Sequence, residues 1–241
     1  PYIFYTVLND SFLKSKKNLI LTLFLTISVL ITGERMSFLM YIFYFSLFFS
    51  LILFNKKNNK KLLIFFSLFI ILFSIFVSKV EIVKNRYTEL FDIISNFNSS
   101  SYGKLFVSGF EIWKKNPING VGVKNFRLEC DIQLQNREPL HHPLCSTHPH
   151  NLYLEMLSET GTIGTTLFIA FLILIYKFFL KNIDQINIKN KFISYALIIS
   201  FTALIWPIST SGSFFTTWNG SFYWLILGLL ISNQNLIFSK K

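Results

Sequence analysis

The stretch GTIGTTLFIAFLILIYKFFL, residues 161–180, contains one charged side chain, Lys177. A helix rises about 1.5 Å per residue, so an apolar run of this length crosses a hydrocarbon core of roughly 30 Å. Five further apolar runs lie at 18–32, 36–54, 62–80, 191–209 and 221–238. We place Pro207 and Gly228 inside the last two runs, because membrane helices tolerate both residue types. The sequence predicts an all-α integral membrane protein with about six transmembrane helices.

The composition agrees with a membrane protein. Of the 241 residues 52% are hydrophobic and 15% are charged, and 29 are Phe. This is more apolar surface than one soluble core can bury. The net charge of +11 would suggest a nucleic-acid partner in a soluble protein, but here the lysines are clustered between apolar runs. We interpret the lysine clusters as signals that orient the helices in the membrane. We therefore expect membrane lipid, and no nucleic acid, as a partner.

Lysine-rich connections alternate with lysine-poor ones along the chain. The positive-inside rule places the lysine-rich connections and the C-terminus in the cytoplasm. We therefore predict three parts: 1–80 with three transmembrane helices, 81–160 as a large periplasmic loop, and 161–241 with three more helices. Because the chain begins at Pro1 without an initiator Met, we expect the C-terminal portion of a longer protein. The lysine clusters are Lys14, Lys16 and Lys17; Lys56, Lys57, Lys60 and Lys61; Lys181, Lys189 and Lys191; Lys240 and Lys241.

The outer loop is too long to be a simple connector. Its aromatic-rich stretch 104–113 predicts an amphipathic helix lying on the membrane surface. Both cysteines, Cys130 and Cys145, also fall in this loop. An oxidising compartment favours a disulfide between them. Two free thiols, or metal ligation by Cys145 with neighbouring histidines, are the alternatives, although the cysteine spacing is not that of a zinc site.

All four histidines precede the apolar run that begins near Gly161, at positions His141, His142, His148 and His150. We predict that Asn151 or His150 opens a short helix that ends at Gly161. The positive end of the helix dipole would lower the pKa of His150 and favour the neutral imidazole that a general base requires. The alternative role for His150 is a helix cap.

Arg35 lies in a connection of only a few residues between two apolar runs. An ionisable group in such a place is costly unless it is paired or functional. Arg35 is suited to bidentate contact with a diphosphate. Contact with a lipid phosphate or pairing with Glu34 is the alternative interpretation.

The chain contains the motifs Thr32-x-x-Arg35, Pro117…Gly120-x-Gly122…Phe126 and His150-Asn151…Gly161-x-x-Gly164. These three segments resemble those of the O-antigen ligase and polymerase-like membrane glycosyltransferases. His150-Asn151, nine residues, Gly161, two residues and Gly164 match that family's loop signature. The segment 116–126 resembles its Pro…Gly-x-Gly…Phe stretch, and 32–35 resembles its Thr-x-x-Arg turn. The segments occur in the family's order and span most of the chain. The motif residues of the middle segment are Pro117, Gly120 and Gly122.

The resemblance implies a GT-C-like fold and transfer of a glycan from undecaprenyl diphosphate to an acceptor hydroxyl, without metal or cofactor. The acceptor would be a lipid A core or a growing glycan, at the periplasmic face of the bacterial inner membrane. His150 resembles the catalytic His, and Arg35 resembles one of two diphosphate-binding Arg residues. The second Arg is missing, and Lys104 or Arg86 is the candidate replacement.

Three other functions are open to a chain of this kind. A polymerase of the same family joins repeat units to one another, and the sequence does not separate it from a ligase. A transporter would show broken spans and buried acidic residues, whereas the predicted spans carry almost none. The third is a non-catalytic membrane subunit.

Overall fold

The computed structural model describes residues 16–32, 36–37, 39–44, 46, 64, 67, 71, 78–79, 81–134, 145–182 and 188–238. All regular secondary structure in these residues is helical. A short 3-10 helix lies at Phe97–Ser99. The helices are α1 (Lys16–Thr32), α2 (Glu81–Ser95), α3 (Ser101–Lys115), α4 (Phe126–Leu134), α5 (Leu152–Asn182), α6 (Ile188–Leu204) and α7 (Thr217–Phe238).

The chain divides into two compact units, and the first comprises Pro1–Ile94 and Asn187–Ala203. Its described part includes α1, most of α2 and most of α6. The hydroxyls of Thr26 and Tyr41 are hydrogen-bonded to each other. The Tyr44 hydroxyl donates to the carbonyl of Ser200 in α6, at 3.3 Å. Long-range contacts within this unit therefore include polar ones between helices.

The second unit comprises Ser95–Ile186 and Leu204–Lys241. One cluster of its core consists of Ile112 from α3 with Phe126 and Cys130 from α4, all fully buried. Cys130 and Cys145 form a disulfide with an S–S distance of 2.03 Å. The bond joins α4 to the segment that leads into α5. Of the three states that the sequence left open for these cysteines, the structure contains the disulfide.

Helix α3 spans the stretch that was predicted to form an amphipathic helix. It begins after Ser100, whose side-chain oxygen accepts a hydrogen bond from the Gly103 amide at 3.1 Å. One face is buried, whereas Val107 and Phe110 lie exposed on other faces. The helix itself is confirmed, and its position on a membrane surface stays a prediction. The buried positions are Gly103, Leu105, Ser108, Gly109 and Ile112.

Among the described residues, one helix is long and apolar enough to cross a membrane, at Leu152–Lys181. A shorter apolar helix lies at Ile193–Leu204. Helices α1 and α7 closely match the predicted runs 18–32 and 221–238, and Gly228 lies inside α7 as expected. Most of 36–54 and 62–80 falls outside the described residues. The number of six spans and the three-part division of the chain stay predictions.

One helix boundary was predicted wrongly. The run 191–209 was expected to include Pro207, but α6 ends at Leu204. Proline has no amide hydrogen to donate, and its ring clashes with the carbonyl four residues earlier, so a helix tends to stop before it. The residues that follow α6 instead join the functional site. We call residues 205–216 the outer segment.

Candidate functional site

Helix α5 is broken at Gly161, whose backbone angles are φ 67° and ψ −169°. A break leaves amides and carbonyls on both sides without helical partners. The loop 116–125 supplies those partners. Its amides at Val121 and Gly122 donate to the carbonyls of Ser158 and Glu159, at 3.0 and 2.8 Å. On the other side of the break, its carbonyls accept from the amides of two residues: Pro117 from Thr162 at 2.8 Å, and Ile118 from Ile163 at 3.3 Å.

Gly120 and Gly161 permit this close approach of two backbones. Both have φ of 67°, a left-handed conformation that glycine adopts without the cost that a side chain would bring. A Cβ on Gly120 would lie 2.4 Å from the carbonyl carbon of Glu159, and one on Gly161 would lie 2.2 Å from the Ile118 oxygen. The Gly-x-Gly stretch and the first glycine of the His-Asn…Gly signature thus form one backbone contact. We call this contact, between the loop 116–125 and the break in α5, the joint.

Two other motif residues contribute to the same region. Gly164 lies one turn after the break, where a Cβ would come within 2.2 Å of the Thr160 hydroxyl oxygen. Gly122 has φ of 96° and lies against the side chain of Asn125. The signature glycines therefore fit a role in shaping the backbone around α5.

Asn151 caps α5. Its side-chain oxygen accepts hydrogen bonds from the amides of Tyr153 and Leu154, both at 3.1 Å. Its side-chain nitrogen donates to the carbonyl of Pro207 at 2.7 Å. The prediction of a short helix from Asn151 to Gly161 holds, since the non-helical residue at Gly161 separates this part from the rest of α5. The alternative in which His150 is the cap is wrong.

His150 is half-buried and adopts φ of 55°, one of two non-glycine residues with positive φ in the described chain. Its ring lies 4.1 Å from the His148 ring, centroid to centroid, and 6.3 Å from the Tyr102 ring of α3. Its Nε2 is 3.4 Å from the Ser146 hydroxyl oxygen. Burial, followed by the charge of His148, lowers the pKa of His150 below its ordinary value. The pKa is lowered, as predicted. The causes are burial and the charge of His148, whereas the sequence suggested the helix dipole.

The outer segment forms one side of this site. The Ser211 amide donates to the His150 carbonyl at 2.9 Å, and the Ser211 carbonyl lies 3.1 Å from His148 Nε2. The Tyr153 hydroxyl donates to the Ile205 carbonyl at 2.8 Å. The sequence interpretation assigned no role to this segment. Its run of small polar residues, Ser209-Thr210-Ser211-Gly212-Ser213, was the available signal.

Two buried carboxylates in the first part of α5 were also missed. Glu155 and Glu159 are each 1% exposed. Glu155 Oε2 accepts from the Phe214 amide of the outer segment at 2.8 Å, and Glu159 Oε2 accepts from the Lys124 amide at 2.6 Å. Residues four apart share a helix face, so the spacing Asn151, Glu155, Glu159 marked one polar stripe. Both residues precede the predicted span 161–180, so the premise that the spans themselves carry almost no acidic residues stays a prediction.

The predicted diphosphate ligands are not brought together by the described residues. Arg35, with His141 and His142, lies outside them, and the side chain of Arg86 in α2 does as well. Lys104 is half-buried in α3, two residues after Tyr102. Helix positions two apart do not share a face, so the Tyr102 contact does not by itself bring Lys104 to His150.

Helix α5 is long and apolar enough to cross a membrane, and its break at Gly161 separates the apolar stretch from the part that begins beside His150. Residues 20–169, more than half of the chain, match the family model described as O-antigen ligase. The chain belongs to this family, whose members are glycosyltransferase-like ligases or polymerases. The apolar helix and the family match point to a membrane protein. Neither the curated proteins nor the solved structures gave a match.

Proposed function

We propose that this protein transfers a glycan from undecaprenyl diphosphate to an acceptor hydroxyl at the periplasmic face of the inner membrane, with His150 as general base. The observation that carries the proposal is the state of His150. Its imidazole is half-buried beside a second histidine, has a lowered pKa, and lies next to the cap of the family's signature helix. A base with these properties is neutral at physiological pH and ready to accept a proton.

In the proposed reaction, the acceptor hydroxyl attacks the anomeric carbon while His150 takes its proton. The bond from that carbon to the diphosphate breaks, and the leaving group gains negative charge. Arg35, with Lys104 or Arg86, would stabilise that charge. A single displacement of this kind inverts the anomeric centre. No metal or other cofactor is part of the proposal.

The length of the first part of α5 suits this chemistry. Between Leu152 and Gly161 the helix rises about 14 Å, at about 1.5 Å per residue. The polar layer of a bilayer leaflet is roughly 5–7 Å thick, from the difference between total and hydrocarbon thickness. If the hydrocarbon begins near Gly161 and this part of α5 runs along the membrane normal, His150 stands beyond the phosphates, at the level of the first sugars of a lipid-linked glycan. This arrangement assumes a multi-pass topology with 81–160 periplasmic and the C-terminus cytoplasmic, as the lysine clusters indicate.

The second candidate function is polymerisation of repeat units by the same chemistry, because the family includes both ligases and polymerases. Carbohydrate analysis of a strain lacking the protein separates the two. Carrier-linked polymer accumulates when a ligase is lost. Single repeats persist without polymer when a polymerase is lost.

The test of the catalytic role is His150→Asn in the full-length protein. Asparagine tolerates the left-handed backbone of this position, so the substitution removes the imidazole with little strain. We expect transfer to fall by roughly 10²- to 10⁴-fold with protein abundance unchanged. The matched control is Lys124→Asn, at the other non-glycine residue with positive φ, 63°. The control should retain wild-type transfer, and wild-type transfer in His150→Asn would refute the role.

The pH dependence gives a second test. Because the pKa of His150 is lowered from 6.5, the neutral base persists to more acid pH than in free histidine. The pH at which the transfer rate of wild-type protein falls to half should therefore lie below 6.5. A half-maximal rate at a pH well above that value would contradict the assignment of His150 as the base.

A further inference from the structure

His148 and His150 both bind Ser211 of the outer segment. His150 accepts a hydrogen bond from the Ser211 amide through its carbonyl, whereas His148 contacts the Ser211 carbonyl through Nε2. One residue of the outer segment is thus held by two histidines that are two positions apart. Together with the Asn151 contact to Pro207, these bonds join the start of α5 to the outer segment.

The chemistry of the Ser211 contact fixes the tautomer of His148. A carbonyl oxygen only accepts, so Nε2 of His148 carries the hydrogen in the 3.1 Å contact. In the neutral ring Nδ1 is then an acceptor, and the Thr147 hydroxyl lies 2.9 Å from it. Both nitrogens of His148 are therefore engaged. Within the described part of the chain, His150 Nε2 has the longer contact with Ser146, at 3.4 Å.

We propose that His148 is a positioning residue for His150. His148 holds the outer segment through Ser211 and packs its ring against the imidazole of His150. This inference rests on the proposed function, because it assigns His148 a role in preparing the base. A left-handed backbone at a residue other than glycine is strained and persists only when its surroundings impose it. The Ser211 bond to the His150 carbonyl is one such restraint, and His148 holds Ser211 in place.

The charge of His148 gives this role a measurable signature. The ionisable groups that face the two histidines and Ser211 are Tyr102 of α3, with its ring 6.3 Å from that of His150, Glu155 of α5, which interacts electrostatically with His148, and Tyr223 of α7, whose hydroxyl interacts with the Ser211 side chain. A positive charge on His148, with ring centroids 4.1 Å apart, opposes protonation of His150. Removal of the His148 ring takes away this repulsion and part of the burial. Both changes raise the pKa of His150.

The experiment uses full-length protein in lipid nanodiscs. Diethyl pyrocarbonate reacts with neutral imidazole, and mass spectrometry of the His150 site as a function of pH gives its titration without an activity assay. We expect His148→Ala to move this titration to higher pH and to lower transfer by about 10²-fold, as a misplaced catalytic group does. His148→Gln keeps an amide donor for Ser211 but carries no charge. It should retain most of the transfer and still titrate at higher pH.

The control is Ser146→Ala, which removes the weak 3.4 Å contact and should change neither measurement. Unchanged titration and wild-type transfer in His148→Ala would overturn the inference. If His148→Ala is not produced, an unchanged titration in His148→Gln overturns it. Failure of the proposed function has a different signature, namely normal transfer in His150→Asn, whatever the effect of His148 on the titration.

Discussion

The two parts of α5 on either side of Gly161 have opposite relations to their surroundings. The part before the break buries polar groups, including Asn151, Glu155 and Glu159 at or after its cap. The part after it exposes large apolar side chains, such as Leu167 and Leu174. In the most apolar stretch of this helix, 11% of the residues are buried. A helix in water would bury the apolar part and expose the polar one, so the comparison indicates two different solvents.

The loop 116–125 is the boundary between the two parts. Its amides and carbonyls satisfy the backbone groups that the break leaves open, and a helix in lipid cannot leave such groups unpaired. The break therefore lets the polar part pack against α3, α4 and the outer segment while the apolar part continues as a regular helix. Substitutions in the joint, in the apolar part and in the polar part therefore measure the contribution of each to stability or membrane insertion.

The largest effect is expected for Gly161→Ala. The new Cβ would lie 2.2 Å from the Ile118 oxygen, at a residue with φ of 67°. Backbone strain and overlap together should lower the free energy of unfolding by about 4 kcal/mol. The measurement is the unfolding midpoint of purified protein in detergent. Gly228→Ala is the control, since its Cβ meets nothing within 4 Å, and it should be neutral or stabilising. Equal effects of the two substitutions on the unfolding midpoint would contradict the claim that the backbone contact at Gly161 requires glycine.

The apolar part is tested by Leu174→Arg, which places a charge on a side chain that is 64% exposed. If this face contacts lipid, the charge should cost about 2.5–3.5 kcal/mol of membrane insertion. The measurement is the inserted fraction in a membrane-integration assay. Leu128→Arg in α4, at a residue 54% exposed, is the control outside the span and should leave insertion unchanged. Normal insertion of the Leu174→Arg protein would contradict the hypothesis that this face of α5 contacts lipid.

The polar part is tested by Glu159→Gln. The substitution keeps an acceptor oxygen for the Lys124 amide, which lies 2.6 Å from Glu159 Oε2, and removes an ionisable carboxyl group whose pKa burial raises to about 7. Because ionisation of this buried group opposes folding, Glu159→Gln should raise the unfolding midpoint relative to wild type at pH 8 and change it less at pH 5. Glu111→Gln is the control, since its ion pair with Lys114 at 3.1 Å is on the surface and contributes less. Chemical unfolding of both variants in detergent compares them. Equal midpoints of Glu159→Gln and wild-type protein at pH 8 would refute the buried, ionisable state of Glu159.

These contrasts explain how far the sequence alone could lead. Apolar runs and the His-Asn…Gly signature predicted α5, its start and its break, because hydrophobic length and capping chemistry are local. The end of α6 was missed because the apolar run continues past Leu204 to Pro207, and hydropathy does not register the missing amide of proline. The roles of Glu155 and Ser211 arise from contacts with residues 59 and 61 positions away, respectively. Such contacts leave no local pattern.

The smallest effect is expected for Trp113→Phe, which removes a bond across the joint without touching its backbone. The Trp113 indole nitrogen donates to the Pro117 carbonyl at 3.2 Å and to the Thr162 hydroxyl at 3.1 Å. A net hydrogen bond contributes about 0.5–1.5 kcal/mol, and Phe retains most of the ring packing, so unfolding should become easier by about 1 kcal/mol.

Trp218→Phe is the control for Trp113→Phe, because Trp218 in α7 is 75% exposed and should tolerate the change. The two variants differ from wild type by the same atoms, so a difference in their unfolding midpoints reports the indole bonds alone. Equal midpoints would mean that the backbone bonds of Pro117 and Ile118 hold the joint without the indole. In that case Gly161→Ala should still be severely destabilised, since its overlap involves the Ile118 carbonyl and not Trp113.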